Sequence, residues 1–133
     1  MARAAAAILQ DIVDAGDAIR RYTACGHDAF VADEILRDAV IARLIQMGQA
    51  VKDIQAAGVK LQELRPEVGW KQIAGLRDRL AHRYWGLEVE PIWTFVETEL
   101  PKVIAAVRAL GRTVSEPKRA LRRKSLKSVS DPD

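Results

Sequence analysis

Apolar residues recur along the chain at steps of three and four, which is the spacing of one face of an α-helix. Residues 4–22 predict a first helix, whose apolar face is formed by Ile8, Ile12, Ala15 and Ile19. Residues 28–56 predict a second, longer helix with the apolar seam Leu36, Val40, Leu44, Met47, Val51 and Ile54. A seam with this spacing is typical of a helix that packs in a bundle.

Glycine and proline residues divide the rest of the chain. Residues 58–69 predict a connection with room for one short turn, and residues 70–85 predict a third helix that ends at Gly86. A fourth helix is expected from Pro91 to about residue 110, closed by Gly111. Pro101 should kink this helix or split it after Leu100. No alternating strand pattern is present, so we predict an all-α, up-and-down bundle of four to five helices.

Length and composition indicate the size of this domain and its expected cellular location. The chain has 133 residues, enough for one domain with its own core, and Cys25 is its single cysteine. A lone cysteine forms no intrachain disulfide, which fits a reducing cytoplasmic location. No apolar run reaches the ~20 residues of a membrane span, and the N-terminus lacks a secretory pattern. We therefore expect a cytoplasmic protein with no membrane partner.

The positive charge is concentrated at the C-terminus. Residues 112–133 carry seven basic and three acidic side chains, so the net charge of +3 leaves residues 1–111 slightly acidic. We predict a domain over residues 1–111 followed by a basic, flexible tail over 112–133. Two interpretations of the tail stay open: a solvated terminus, or a segment that adds salt-sensitive affinity for RNA phosphates.

The chemistry of the sequence is concentrated around His82. It stands in the polar run Arg77–Asp78–Arg79–Leu80–Ala81–His82–Arg83–Tyr84, near three tryptophans. Arginine binds phosphate, histidine moves protons at neutral pH, and aromatic rings stack on bases. The chain offers no glycine-rich phosphate loop, no Cys/His metal spacing and no serine nucleophile with a nearby base.

The stretch over residues 70–87 closely resembles the HepT-like toxins, a branch of the HEPN superfamily. The family motif is Arg, a polar residue, and a later His followed two positions on by Tyr, which Arg77, Asp78, His82 and Tyr84 match. The likeness continues through residues 89–93 and 100–101 and stops before the tail. Asp78 stands where Asn is also common in the family, and this difference keeps the polar character of the position.

This resemblance implies the toxin component of a type VII-like toxin–antitoxin system. It implies a homodimeric endoribonuclease that needs no metal or other cofactor, with Arg77 and His82 as catalytic residues. It also implies a minimal nucleotidyltransferase (MNT-type) antitoxin, which silences the toxin by binding it, by transferring AMP to Tyr84, or by both. The alternative is a non-catalytic HEPN binding module that acts as a partner of the nucleotidyltransferase.

The residues themselves suit metal-free RNA cleavage. His82 is the natural proton shuttle, and Arg77 can stabilise charge on phosphorus. Asp78 precedes His82 by one helical turn and is expected to orient the imidazole. In an ideal helix, however, Arg77 and His82 point about 140° apart. A two-fold dimer that brings two motifs into one cleft would solve this problem.

Overall fold

The computed structural model describes residues 4–82 and 88–115, and within these ranges the chain is helical and has no β-strand. The helices are α1 (Ala5–Thr23), α2 (His27–Ala32), α3 (Glu34–Ala56), α4 (Leu61–Leu64), α5 (Trp70–His82), α6 (Val89–Thr94) and α7 (Leu100–Ser115), with a π-helical turn (Phe95–Glu99) between α6 and α7. The predicted all-α bundle is confirmed. None of these helices is long and apolar enough to cross a membrane.

The long helices pack side by side around one core. Helix α1 contacts α3 on one side and α7 on the other, and α3 also contacts α5. The predicted face of α1 is buried at all four positions, Ile8, Ile12, Ala15 and Ile19. The seam of α3 is buried from Val40 to Ile54, with Leu36 partly buried at its start. Burial of these apolar faces is the main stabilising contribution to the bundle.

The prediction of one helix over residues 28–56 is wrong, because the chain breaks at Asp33. This residue is extended (φ −104°, ψ 104°), and its carboxylate accepts a hydrogen bond of 3.1 Å from the backbone N–H of Leu36. Asp33 is therefore the N-cap of α3, a position that aspartate favours. The apolar pattern runs on across the break because Phe30 of α2 is also buried.

A π-helical turn lies directly before Pro101. Proline lacks a backbone N–H, and its ring collides with the carbonyl four residues earlier in a regular α-helix. Here the N–H of Leu100 donates to the carbonyl of Phe95, five residues back, and α7 continues from Leu100. The irregularity expected at Pro101 is thus present as a wider turn rather than as a break.

Two further predictions about helix ends are wrong. The fourth helix begins at Val89 rather than Pro91, and α7 continues through Gly111 to Ser115. Glycine within a helix costs only about 1 kcal/mol relative to alanine, and α7 is held in place by its buried face of Val103, Ile104, Val107 and Leu110. The first residues of the predicted tail are therefore helical, and residues 116–133 lie outside the described ranges.

Candidate active site

Arg77, Asp78 and His82 of the predicted motif lie in the last two described turns of α5. The helix buries Trp70, Ile73 and Leu80. The indole N–H of Trp70 donates to the backbone carbonyl of Arg65 at 2.8 Å, which ties the start of α5 to the preceding connection. With these apolar side chains in the core, the helix leaves Arg77 and Asp78 partly exposed and His82 exposed.

Arg77 is held against α3 by a close approach at Gly48. A side-chain carbon built on Gly48 would overlap the Cβ of Arg77 and lie 3.0 Å from its Cγ. A residue without a Cβ is needed at this position. The Nε atom of Arg77 is buried and has no hydrogen-bond partner within the described part of the chain. The side chain as a whole is 28% exposed, so its stem is fixed while part of it stays accessible.

Asp78 joins Arg77 to a lysine that the sequence analysis missed. Its Oδ1 atom accepts a hydrogen bond of 2.7 Å from Nζ of Lys52 on α3 and one of 3.1 Å from a terminal nitrogen of Arg77. The bond from Lys52 is the main factor that lowers the pKa of Asp78, burial opposes it, and the bond from Arg77 adds to it. Asp78 is therefore a carboxylate at neutral pH and only accepts hydrogen bonds.

The expected contact between Asp78 and His82 is not formed. The carboxylate of Asp78 binds Lys52 and Arg77 instead, and no hydrogen bond to His82 is found among the described residues. His82 is the last described residue of α5 and is exposed. Because the helix continues through His82, the angular separation of about 140° from Arg77 applies. One chain does not bring these two side chains together through helix geometry.

A polar groove of ≈ 590 Å³ runs between α1 and α3 and reaches Arg77. Its wall contains the carboxylates Asp11, Asp14 and Asp53 together with Arg43 and Arg77. Lys52 and Asp78 are not among its lining residues. Carboxylates repel phosphate groups and arginines attract them, so the groove presents both signs of charge beside Arg77.

The rest of the motif lies outside the described residues. Tyr84 falls within residues 83–87, so its role stays a prediction from the sequence. Within the described ranges, no group of three or more His, Cys, Asp or Glu side chains has a geometry that could hold a metal ion.

The second histidine belongs to a separate cluster between α2 and α6. His27 Nε2 lies 2.7 Å from Glu90 Oε1, and Nδ1 lies 3.3 Å from Asp28 Oδ1. The His27 ring also contacts the ring of Trp93 edge-on at 5.5 Å between centroids. The bond to Glu90, followed by that to Asp28, raises the pKa of His27 above its ordinary value. This exposed cluster links the start of α2 to the helix that follows the motif.

The fold and the motif together define the class of protein. An all-helical bundle that carries an arginine and, five residues later, a histidine at the end of one helix is typical of the HEPN superfamily. Within that class, the chain belongs to the family described as "Ribonuclease HepT-like", which matches residues 12–110.

Individual relatives agree with this assignment. The chain is 34% identical to "Probable ribonuclease HepT" of Thermococcus cleftensis, over 71% of this chain and 84% of the relative. It is 33% identical to a "Putative RNase" of Caldanaerobacter subterraneus subsp. tengcongensis, over 69% and 80% of the two chains. A "Putative RNase" of Methanocaldococcus jannaschii is 32% identical, over 73% and 82%. No solved structure matches the chain.

Proposed function

We propose that this protein is a metal-independent endoribonuclease and the toxin component of a HepT/MNT toxin–antitoxin system, acting in the cytoplasm. One observation supports the proposal most directly: α5 holds Arg77 with a fixed stem and a partly accessible side chain, and it carries His82 as an exposed residue one to two turns further on. Membership of the HepT-like ribonuclease family and the names of the relatives support RNA as the substrate.

These residue types suit cleavage by the 2′-hydroxyl of RNA. The 2′-oxygen attacks the adjacent phosphorus, the bond to the 5′-oxygen breaks, and a 2′,3′-cyclic phosphate is left. One imidazole accepts the proton of the 2′-hydroxyl, and an imidazolium donates a proton to the leaving 5′-oxygen. The guanidinium of Arg77 stabilises the negative charge that develops on the phosphoryl oxygens. Asp78, as a carboxylate, supplies no proton. Its role is to hold the side chains of Lys52 and Arg77 through hydrogen bonds.

The active form is proposed to be a homodimer. Arg77 and His82 diverge on one helix, so a single chain supplies the two groups poorly for one phosphate. A two-fold axis beside α5 would place the arginine of one protomer near the histidine of the other. It would also supply two histidines, one to accept a proton and one to donate it.

The proposed partner is an MNT-type nucleotidyltransferase antitoxin. It would silence the toxin by covering the motif, by transferring AMP to Tyr84, or by both. AMP on Tyr84 would add a negative phosphate close in sequence to His82 and to the arginines of the motif, where it would compete with the RNA backbone.

Cleavage of total RNA by the purified protein in EDTA tests the proposed activity. Wild type should degrade RNA under these conditions, whereas His82→Ala should be inactive while retaining the helical circular dichroism spectrum. Activity in the correctly folded His82→Ala protein would contradict the mechanism, and activity that depends on an added divalent ion would contradict metal independence. A folded wild-type protein that binds the nucleotidyltransferase and cleaves no RNA would favour the binding-module alternative.

A further inference from the structure

Two cations from different helices share a single carboxylate oxygen in the candidate site. Nζ of Lys52 on α3 and a terminal nitrogen of Arg77 on α5 both bind Oδ1 of Asp78, at 2.7 and 3.1 Å. The two nitrogens therefore lie within about 6 Å of each other. The cluster has two positive charges and one negative charge, so one positive charge remains uncompensated.

All three side chains can be reached from solvent. Lys52 is 39% exposed, Arg77 28% and Asp78 46%. The groove that reaches Arg77 is lined by three carboxylates and by Arg43, and neither Lys52 nor Asp78 lines it. At Lys52, an anion that approaches Arg77 meets a second cation, and the one carboxylate there already binds both cations.

We propose that Lys52 is a phosphate-binding residue of the ribonuclease site and contacts RNA together with Arg77. This inference rests on the proposed function. Asp78 holds the ammonium and the guanidinium close together in the free protein, and a phosphodiester then takes up the remaining hydrogen-bonding capacity of both cations. An ammonium has three donors and a guanidinium has five, so each has donors left for phosphate after it has bonded to Asp78.

A purely structural ion pair between α3 and α5 is the competing explanation. An exposed pair of this kind contributes little to stability, and a bridge between the helices needs only one cation for the single carboxylate. Here two like charges, which repel each other, are held beside one oxygen. That arrangement suits a site prepared for an additional anion better than it suits a simple bridge.

Binding of an uncleavable probe tests this inference. The probe is a short, mixed-sequence, fluorescein-labelled 2′-O-methyl oligoribonucleotide, which lacks the attacking 2′-hydroxyl, and binding is followed by fluorescence anisotropy at several salt concentrations. Loss of one phosphate contact in Lys52→Met should lower the slope of log affinity against log salt by roughly 0.7. This corresponds to affinity about fivefold weaker at about 0.1 M salt.

Two variants serve as controls. Lys102→Met also removes a lysine from an exposed ion pair, with Glu99 at 3.2 Å, and should bind the probe like wild type. Lys52→Arg keeps the charge and should recover most of the affinity. Thermal unfolding of each variant establishes that it is folded.

The double variant Lys52→Met/Asp78→Asn separates phosphate binding from neutralisation of Asp78. If Lys52 contacts phosphate, the double variant should keep the reduced salt slope of Lys52→Met. If Lys52 only neutralises the carboxylate, removal of both partners should restore wild-type binding, which would overturn the inference. Wild-type affinity in Lys52→Met would also overturn it and would leave the proposed function intact. A wild-type protein that neither binds the probe nor cleaves RNA would reject both proposals.

Discussion

Gly48 lies against Arg77 at the α3–α5 interface, so closely that a methyl group on Gly48 would overlap the Cβ of Arg77. The position of the guanidinium therefore depends on a residue that carries no side chain and takes no part in proton transfer or phosphate binding. A Cβ built on Gly48 would also lie only 3.1 Å from the backbone carbonyl oxygen of Ile73 on α5. Both contacts involve α5, so neither is relieved without a shift of that helix.

Substitution of this glycine should reduce both stability and cleavage. Gly48→Ala inserts a methyl group into a packed interface, which typically costs about 1–3 kcal/mol, and it pushes α5 and Arg77 away from α3. A displacement of a binding group by about 1 Å can lower a rate by about 100-fold. We expect a lower midpoint of thermal unfolding and a large loss of RNA cleavage that persists at temperatures where the variant is folded.

Gly111→Ala is the matched control for this prediction. Gly111 is also within a helix, but a side-chain carbon built on it meets nothing within 4 Å. The alanine should stabilise α7 by up to about 1 kcal/mol through helix propensity and leave cleavage unchanged. Equal stability and equal activity of Gly48→Ala and Gly111→Ala would show that the approach at Gly48 does not matter.

The helices were predictable from the sequence where the apolar spacing was not interrupted. The faces of α1 and of α3 from Val40 onwards follow directly from steps of three and four, because each such position is buried. The break at Asp33 was missed because it depends on one capping carboxylate, while buried residues continue the apolar pattern on both sides. The end of α7 was misplaced because Gly111 was taken as a helix end, whereas a glycine within a helix costs only about 1 kcal/mol relative to alanine and α7 continues to Ser115.

The candidate site was predictable only within its own helix. Arg77, Asp78 and His82 form a local pattern, and a local pattern can be recognised without a structure. Lys52 precedes Asp78 by 26 positions, and their contact arises from the packing of α3 on α5. The sequence analysis paired Asp78 with His82 because the two are one turn apart, but in the folded chain the two cations occupy the carboxylate.

The cluster of His27 and Glu90 predicts a pH-dependent component of stability. Hydrogen bonding to Glu90 raises the pKa of His27 above its ordinary value of about 6.5. Protonated His27 therefore makes its full contribution to the free energy of unfolding below pH of about 6.5. This contribution is lost as the pH rises through the higher pKa of His27 in the folded state. The midpoint of thermal unfolding should fall over that pH range in wild type, and this decrease should be smaller in His27→Gln.

Glu90→Gln serves as the direct control for the His27 prediction. The substitution replaces the carboxylate whose hydrogen bond contributes most to the shift in the pKa of His27 with an amide of the same size. In an NMR titration, the pKa of the His27 imidazole should be lower in Glu90→Gln than in wild type. Identical titration curves in the two proteins would contradict the assigned cause. The spectrum of His27→Gln distinguishes His27 from His82, the other histidine in the chain.

The proposed dimer predicts complementation between inactive subunits. Light scattering should give twice the monomer mass of 14.7 kDa for wild type, Arg77→Ala and His82→Ala. If each site takes its arginine from one chain and its histidine from the other, and if that one histidine can serve both proton transfers, a mixed dimer contains one working site. Random exchange should then restore up to about a quarter of wild-type activity. An active monomer would refute the dimer. No recovery of activity in a verified heterodimer would favour sites confined to one chain or a need for both copies of the motif.

The final prediction is that Tyr84 is the regulated residue of the motif and is not required to transfer protons. An ordinary tyrosine has a pKa of about 10, so its hydroxyl is a poor base beside a histidine at neutral pH. That hydroxyl can instead accept AMP from the proposed nucleotidyltransferase. Tyr84→Phe should keep a substantial share of RNA cleavage and should continue to cleave RNA when the nucleotidyltransferase and ATP are present.

Intact-mass spectrometry provides the decisive measurement for Tyr84. Wild type incubated with the nucleotidyltransferase and ATP should gain the mass of one AMP or a multiple of it and lose activity, while Tyr84→Phe should gain none. Tyr22 is the other tyrosine in the chain. Its partly buried hydroxyl accepts a hydrogen bond of 3.4 Å from Arg43, so Tyr22→Phe should be modified like wild type. If Tyr84→Phe acquired the same adducts and was silenced equally, AMP transfer would act at a different residue, because a phenylalanine ring has no hydroxyl to accept AMP.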